Sequence, residues 1–172
     1  MNQKALIVID LQYDYFPEGK FPLWNTKQTL MNVKSSINKA NSLSIPVIHV
    51  QHIADPARGI SPFFNEGTAG AEIHMDVVNI APNGDVVIKH FADAFFKTNL
   101  EETLNNYGVD ELLICGMMTQ NCVTHTAISK SAEKYRVSIL SDACTTTDEM
   151  IHNIALHAIS NRVELLSFEQ AF

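Results

Sequence analysis

Short apolar runs alternate with amphipathic segments along the chain, and this alternation limits the possible folds more than any other feature. The apolar runs cover residues 5–9, 47–50, 85–88, 111–115, 136–140 and 163–168. Runs of this length without regular polar alternation are typical of parallel strands that are buried on both faces. Amphipathic helices between them would cover those faces. The pattern therefore predicts an α/β fold, a three-layer α/β/α, Rossmann-like domain with a six-stranded parallel sheet.

The connections between the later runs contain two helices whose bounds can be predicted. One helix is predicted from about Gln120 to Lys134. The last helix follows Thr147 or Asp148, and its apolar residues are predicted to face the core: Met150, Ile151, Ile154, Ala155, Ala158 and Ile159. Internal repeats, low-complexity stretches and linkers are absent from the sequence, so residues 1–172 are predicted to form a single domain.

Charge and cysteine usage exclude several classes of partner. The chain has 12 basic and 19 acidic residues, a formal net charge of −7, and no stripe of Lys or Arg, so nucleic acid is not an expected partner. The apolar run near the N-terminus is too short for a membrane span or a signal peptide, so no membrane partner is expected either. Three cysteines without the spacing of a disulfide framework favour a reduced, cytoplasmic setting.

Three reactive side chains follow apolar runs at positions where strands are predicted to end. Asp10 follows the first run, Lys89 follows the third, and Cys122 comes shortly after the fourth. In an open parallel sheet, ligands bind beyond the carboxyl ends of the strands, so these side chains are expected to meet. A carboxylate can accept a thiol proton, and a lysine can hold both anions in place. Taken singly, Asp10 also fits a turn and Lys89 a solvated strand end.

The segment around Cys122 has the features of a strand-to-helix turn. Thr119 is a predicted N-cap, which places Cys122 in the first helical turn. Unpaired backbone N–H groups and the positive helix end stabilise a thiolate there, so a lowered pKa is predicted for Cys122. The alternative is a small core residue that follows a turn.

The histidines and glycines do not form a recognisable cofactor site. His125 lies three residues after Cys122 but one turn deeper into the predicted helix, so it is interpreted as a packed or partly exposed side chain. The other histidines lack metal-site spacing, and no metal is predicted. Glycine-rich dinucleotide and phosphate motifs are absent from the sequence, and no cofactor is predicted.

Side chains near these positions form the predicted substrate pocket. Loops 11–25 and 53–83 are irregular, and a loop as long as the second is usually functional, for example as a lid. The pocket candidates are Gln12, Phe16, Trp24, Phe64, Phe91, Met117 and Thr119. For the aromatic candidates ordinary core packing is the alternative, and Gln12 either contacts the substrate or braces its loop.

Several short motifs occur in a fixed order between residues 5 and 143. They are Ile7–Gln12 with Phe16, Gly67–Ile73, Val87–Lys89 with Ala94, Phe95 and Thr98, Gly116–Thr119 with Cys122 and Val123, and Ser141–Ala143. Together they resemble the isochorismatase-like cysteine hydrolases, which include nicotinamidases, N-carbamoylsarcosine amidase and streptothricin hydrolase. The resemblance implies a catalytic triad of Asp10, Lys89 and Cys122. It also implies a cis peptide bond before Met118, which turns the Met118 N–H toward the Cys122 N–H to form an oxyanion hole.

The resemblance implies a cofactor-independent hydrolase that cleaves a small carboxamide, lactam or carbamoyl compound through a thioester on Cys122. Family members are commonly dimers or tetramers, so a homodimer or homotetramer is expected. Nicotinamidases carry a metal-binding Asp-x-His after the second strand, but Gln51-His52-Ile53 here lacks the Asp and places the histidine out of register. Two alternatives remain: a vinyl-ether hydrolase in which Asp10 is an acid and Cys122 a bystander, and a non-enzymatic binding protein with a redox-sensing thiol.

Overall fold

The computed structural model describes residues 3–172 and contains a six-stranded sheet in which all neighbouring strands run parallel. Its strands are β1 Lys4–Ile9, β2 Val47–His52, β3 Asp85–Lys89, β4 Glu111–Met117, β5 Arg136–Thr145 and β6 Glu164–Leu166. Their order across the sheet is β3-β2-β1-β4-β5-β6, so the direction of travel reverses between β1 and β4. The predicted α/β fold with a six-stranded parallel sheet is confirmed.

Helices cover both faces of this sheet. They are α1 Thr26–Ser42, α2 Met75–Ile80, α3 Leu100–Asn106, α4 Thr124–Ala127 and α5 Glu149–Ile159. Because β1 to β3 advance in one direction and β4 to β6 in the other, right-handed crossovers place their connecting helices on opposite faces. An ion pair between Lys34 and Asp76 joins α1 to α2, and Lys134 pairs with Glu101 on α3. Among residues 3–172, none of the helices combines the length and the apolar composition that a membrane span requires.

The two central strands are the most deeply buried part of the molecule. Residues Ala5–Ile9 of β1 are at most 1% exposed, and every residue of β4 is buried. Val33 and Ile37 on α1, with Leu100 and Leu104 on α3, are 0% exposed and extend this core. Each fully buried aliphatic side chain contributes about 1.5–3 kcal/mol. The carboxyl ends of β1 and β4 are therefore anchored by a fully buried apolar core.

The segment after β4 is not the continuous helix predicted from Gln120 to Lys134. A π-helical turn covers Thr119–Val123, α4 ends at Ala127, and a 3-10 turn covers Lys130–Lys134. Ile128 and Ser129 separate the last two pieces, and the ψ of 144° at Ser129 lies outside the helical range. An apolar spacing pattern does not report the backbone angles of one residue.

Helix α5 buries a narrower face than the one predicted. Ala155 and Ile159 are buried as expected, but four residues that were predicted to face the core are exposed: Met150, Ile151, Ile154 and Ala158. His152 takes their place in the interior and is 9% exposed. Its ring lies within hydrogen-bond distance of Thr119, so this contact helps to decide which side of the helix faces inward.

Strands β5 and β6 differ in length from the prediction. β5 continues to Thr145 rather than ending at Leu140, and its register against β4 shifts between Ile114 and Gly116. β6 covers Glu164–Leu166 rather than residues 163–168. The extension of β5 places Thr145 beside the last residue of β4, so the segment that leads to Cys122 has a strand on each side.

Candidate active site

The carboxyl ends of β1, β2 and β3 bring three polar side chains to one edge of the sheet. Asp10 directly follows β1, His52 is the last residue of β2, and Lys89 is the last residue of β3. His52 and Lys89 are partners in the register of these two strands. Because neighbouring strands are about 4.8 Å apart, a lysine side chain can extend past the end of β2 and reach the end of β1.

The Lys89 ammonium lies at the centre of a buried hydrogen-bond cluster. Its Nζ is 2.9 Å from Asp10 Oδ2, 3.2 Å from Cys122 Sγ and 2.8 Å from His52 Nδ1. Lys89 and Asp10 are 0% exposed, and Cys122 is 2% exposed. The structure thus brings together the three residues of the predicted triad. It adds His52, which the sequence analysis did not select, although its place at the end of β2 follows the same strand-end rule.

The Cys122 thiol is protonated at neutral pH in this environment. Burial raises its pKa, the Asp10 carboxylate raises it further, and Lys89 offsets only part of the increase, so the pKa is about 12. The prediction of a lowered thiol pKa is therefore wrong, because the loss of solvent outweighs the helix end. Burial lowers the pKa of Lys89, but Asp10 and Cys122 raise it more, so the ammonium keeps its charge.

The backbone that presents Cys122 passes very close to β1. Gly116 has a φ of 122°, and a Cβ at this position would lie 2.0 Å from the Ile9 carbonyl oxygen, so the approach requires glycine. The peptide bond between Met117 and Met118 is cis. This is the bond for which the family resemblance implies a cis conformation. Met117 is 0% exposed and closes β4, so it belongs to the core beneath the site.

Thr119 and Trp24 both contact His152 of α5. Thr119 is not the predicted cap, because it is the first residue of the π-helical turn and Met118 holds the N-cap position. The Oγ1 of Thr119 lies 2.8 Å from His152 Nδ1. Trp24 is half-buried, and its ring packs against that of His152 with centroids 5.9 Å apart. These contacts connect the turn that carries Cys122 to α5 and to loop 11–25.

The Gln12 side chain forms hydrogen bonds with the backbone of His52 and Ala71. Its Nε2 donates to the carbonyl oxygens of His52 at 2.8 Å and Ala71 at 2.7 Å, and its Oε1 accepts from the His52 N–H at 2.8 Å. The residue is 0% exposed. Both amide hydrogens are used in these bonds, so Gln12 braces loop 53–83 against the end of β2.

Two aromatic side chains, Phe64 and Tyr15, pack beside the Lys89 cluster. Phe64 is 1% exposed, and its ring centroid lies 4.6 Å from that of Tyr15 and 5.9 Å from that of His52. Burial raises the pKa of Tyr15, and the nearby Asp10 and Cys122 raise it further, so the phenol stays neutral. The sequence analysis missed Tyr15; its place in the aromatic loop, five residues after Asp10, is the signal that could have identified it.

The other two aromatic candidates have their ring contacts elsewhere. Phe16 packs against His74 with ring centroids 4.6 Å apart. Phe91 packs edge-on against Phe96 at 4.9 Å, and the Lys97 ammonium lies over both rings. Neither of these contacts involves a residue of the Lys89 cluster, whereas the Phe64 ring packs against that of His52.

Asp10, His52 and Cys122 are residue types that bind metal ions, and one donor atom from each lies within 4.8 Å of the others. The Lys89 ammonium, however, lies within hydrogen-bond distance of all three and takes the central position. A metal ion would have to displace Lys89 from its buried ion pair with Asp10. The arrangement therefore fits an ammonium rather than a metal ion.

Comparison with known proteins places the chain in a family of hydrolases. The family model for the isochorismatase domain matches residues 4–170, so the chain belongs to the isochorismatase family of hydrolases. The uncharacterized isochorismatase family protein YddQ of Bacillus subtilis is 38% identical over 149 residues, which are 87% of this chain and 81% of that protein. Streptothricin hydrolase of Streptomyces noursei is 30% identical over 145 residues, 84% of this chain and 55% of that protein. An isochorismatase family protein from Desulfovibrio vulgaris shares the fold, with a TM-score of 0.89 at 23% identity over 98% of this chain and 96% of that one.

Proposed function

We propose that this protein is a cysteine hydrolase that cleaves a C–N bond of a small carboxamide, lactam or carbamoyl compound through a thioester on Cys122. One observation carries the proposal: Lys89 Nζ lies 2.9 Å from Asp10 Oδ2 and 3.2 Å from Cys122 Sγ in a buried cluster. A carboxylate, an ammonium and a thiol in contact provide the base, the counter-charge and the nucleophile of an acyl transfer. A relative named streptothricin hydrolase supports a hydrolytic reaction.

Asp10 activates the nucleophile at the moment of attack. Because the pKa of the Cys122 thiol is about 12, only a small fraction is thiolate at neutral pH. The thiol proton passes to Asp10 as Sγ bonds to the carbonyl carbon, and the Lys89 ammonium stabilises the charge that develops on sulfur. The carbonyl π electrons move to the oxygen, which becomes an oxyanion.

The backbone N–H groups of Met118 and Cys122 are the proposed donors to that oxyanion. A single donor of this kind contributes about 3–4 kcal/mol to the transition state. When the C–N bond breaks, the leaving amine or ammonia takes the proton held by Asp10. Asp10 then removes a proton from water, which attacks the thioester and releases the acid and the Cys122 thiol.

A panel of small carboxamides, lactams and carbamoyl compounds, scored for released ammonia or amine, tests the proposal. The parent protein should turn over at least one compound, and Cys122→Ala should not. Cys115→Ala is the matched control, because Cys115 is also buried but lies in the interior of β4 beside Val8, and this variant should keep the parent activity.

Other outcomes would contradict the proposal in distinct ways. Undiminished turnover by Cys122→Ala would remove the nucleophile role. Hydrolysis of isochorismate by that variant would identify a vinyl-ether hydrolase in which Asp10 is the acid. Failure of the parent on the whole panel, together with sulfenic acid at Cys122 after dilute peroxide, would identify a redox-sensing thiol instead.

A further inference from the structure

The Lys89 ammonium has one hydrogen-bond partner that does not belong to the Asp10–Lys89–Cys122 triad. His52 Nδ1 lies 2.8 Å from Lys89 Nζ, the shortest of the three distances from this nitrogen to its partners. The two residues are opposite each other in the register of β2 and β3. The contact therefore follows from the pairing of two strands and does not depend on a loop.

The number of donors and acceptors fixes the state of the His52 ring. A lysine ammonium has three N–H donors and no acceptor, and it is matched here by Asp10 Oδ2, Cys122 Sγ and His52 Nδ1. Burial and the Lys89 charge lower the pKa of His52 to about 4, so the ring is neutral at physiological pH. Since Lys89 supplies the hydrogen, Nδ1 is the unprotonated nitrogen and Nε2 carries the ring proton.

Both the backbone and the ring of His52 have defined contacts. Its backbone N–H and carbonyl are both bonded to the Gln12 side chain at 2.8 Å. The Phe64 ring packs beside it with centroids 5.9 Å apart. A side chain held in this way can fix the direction of a hydrogen bond, and the direction decides where the other two N–H groups of Lys89 point.

We propose that His52 is a positioning residue, whose Nδ1 lone pair holds one N–H of Lys89 and thereby aims the other two at Asp10 and Cys122. The inference rests on the proposed function, because it concerns the ammonium that assists the Cys122 nucleophile. His52 does not take the thiol proton. It acts through Lys89, and without it one N–H of a fully buried ammonium would have no acceptor, which disfavours the charged form.

The reactivity of Cys122 reports this role directly. The titratable groups that influence His52 and Cys122 are Asp10, Lys89 and His90, together with Tyr15 against the thiol. Lys89 lowers the pKa of the thiol. A weakened or misdirected ammonium should therefore move the formation of the thiolate to higher pH.

Two substitutions at His52 separate hydrogen bonding from shape. In His52→Asn, the amide oxygen stands close to the position of Nδ1 and can still accept from Lys89. His52→Leu fills a similar volume but offers no acceptor. Circular dichroism and the thermal midpoint establish that each variant is folded, and iodoacetamide labelling of Cys122 is followed across pH by peptide mass spectrometry, which needs no substrate.

His52→Leu should raise the thiol pKa further and slow labelling at neutral pH about tenfold, while His52→Asn should stay within about twofold of the parent. Equal labelling profiles for His52→Leu and the parent would overturn the inference. Equal impairment of both variants would also overturn it, because the imidazole rather than its acceptor would then be required. Absence of Cys122 labelling in the parent protein would count against the proposed nucleophile instead. Failure of the His52 inference and failure of the proposed function are therefore distinguishable.

Discussion

Replacement of Asp10 by asparagine is expected to separate the reactivity of Cys122 from turnover. Asp10→Asn keeps a side-chain oxygen for Lys89 Nζ, which lies 2.9 Å from Oδ2, but removes the negative charge that raises the thiol pKa. A hydrogen bond to a charged group is worth about 1.5–3 kcal/mol, which corresponds to about 1–2 pKa units. The thiolate fraction at neutral pH should therefore rise about ten- to hundredfold in this variant.

Turnover should change in the opposite direction. Asparagine cannot accept the thiol proton or pass it to the leaving amine, and the loss of such a base lowers kcat by about 10²–10⁴-fold. The assay is iodoacetamide labelling of Cys122 near neutral pH, compared with amide turnover by the same samples. A labelling rate that falls together with turnover would refute the reasoning, because Asp10 would then promote ionisation of the resting thiol instead of opposing it.

Three further predictions concern stability. Lys89→Met leaves the 0% exposed Asp10 carboxylate without its cation. The free energy of unfolding in urea should therefore fall by about 3–5 kcal/mol. An unchanged urea midpoint would contradict the buried ion pair. Thr119→Val removes the partner of a buried His152 nitrogen and should destabilise by about 1–3 kcal/mol, which a thermal midpoint equal to that of the parent would exclude. Burial and Lys89 lower the pKa of His52 to about 4 in the folded protein, whereas in the unfolded chain it is about 6.5. Between these two pH values the unfolded chain therefore binds more protons than the folded protein. The stability that depends on neutral His52 should therefore be complete above the unfolded value and decline as pH falls toward 4, whereas His52→Asn should lack this component; parallel pH profiles for the two proteins would count against the assignment.

The strand order was accessible from the sequence only in part. The apolar runs at residues 5–9 and 111–115 predict buried strands, because a central strand has both faces covered, and β1 and β4 occupy these positions. Which strands are neighbours depends on the direction of each crossover, which apolar spacing does not encode. The strand-end rule could have selected His52, but its contact with Lys89 follows from the pairing of β2 with β3, which the sequence does not give.

The departures from the predicted structure have local causes. The helix expected over residues 120–134 is broken at Ser129, and the face of α5 depends on the contact between Thr119 and His152. Neither feature leaves a periodic signal in the sequence. The thiol pKa was predicted in the wrong direction because a helix start is visible in the sequence, whereas the burial of Cys122 to 2% exposure is not.

The central claim is that Cys122 carries the acyl group during turnover, and trapping that intermediate tests it most directly. The parent protein is quenched with acid while it turns over the most active compound of the amide panel, and the peptides are examined by mass spectrometry. The account predicts an acyl adduct on the peptide that contains Cys122, labile to hydroxylamine, kept in Cys115→Ala and absent from Cys122→Ala. An acyl adduct on another residue, or parent-level turnover by Cys122→Ala, would contradict it.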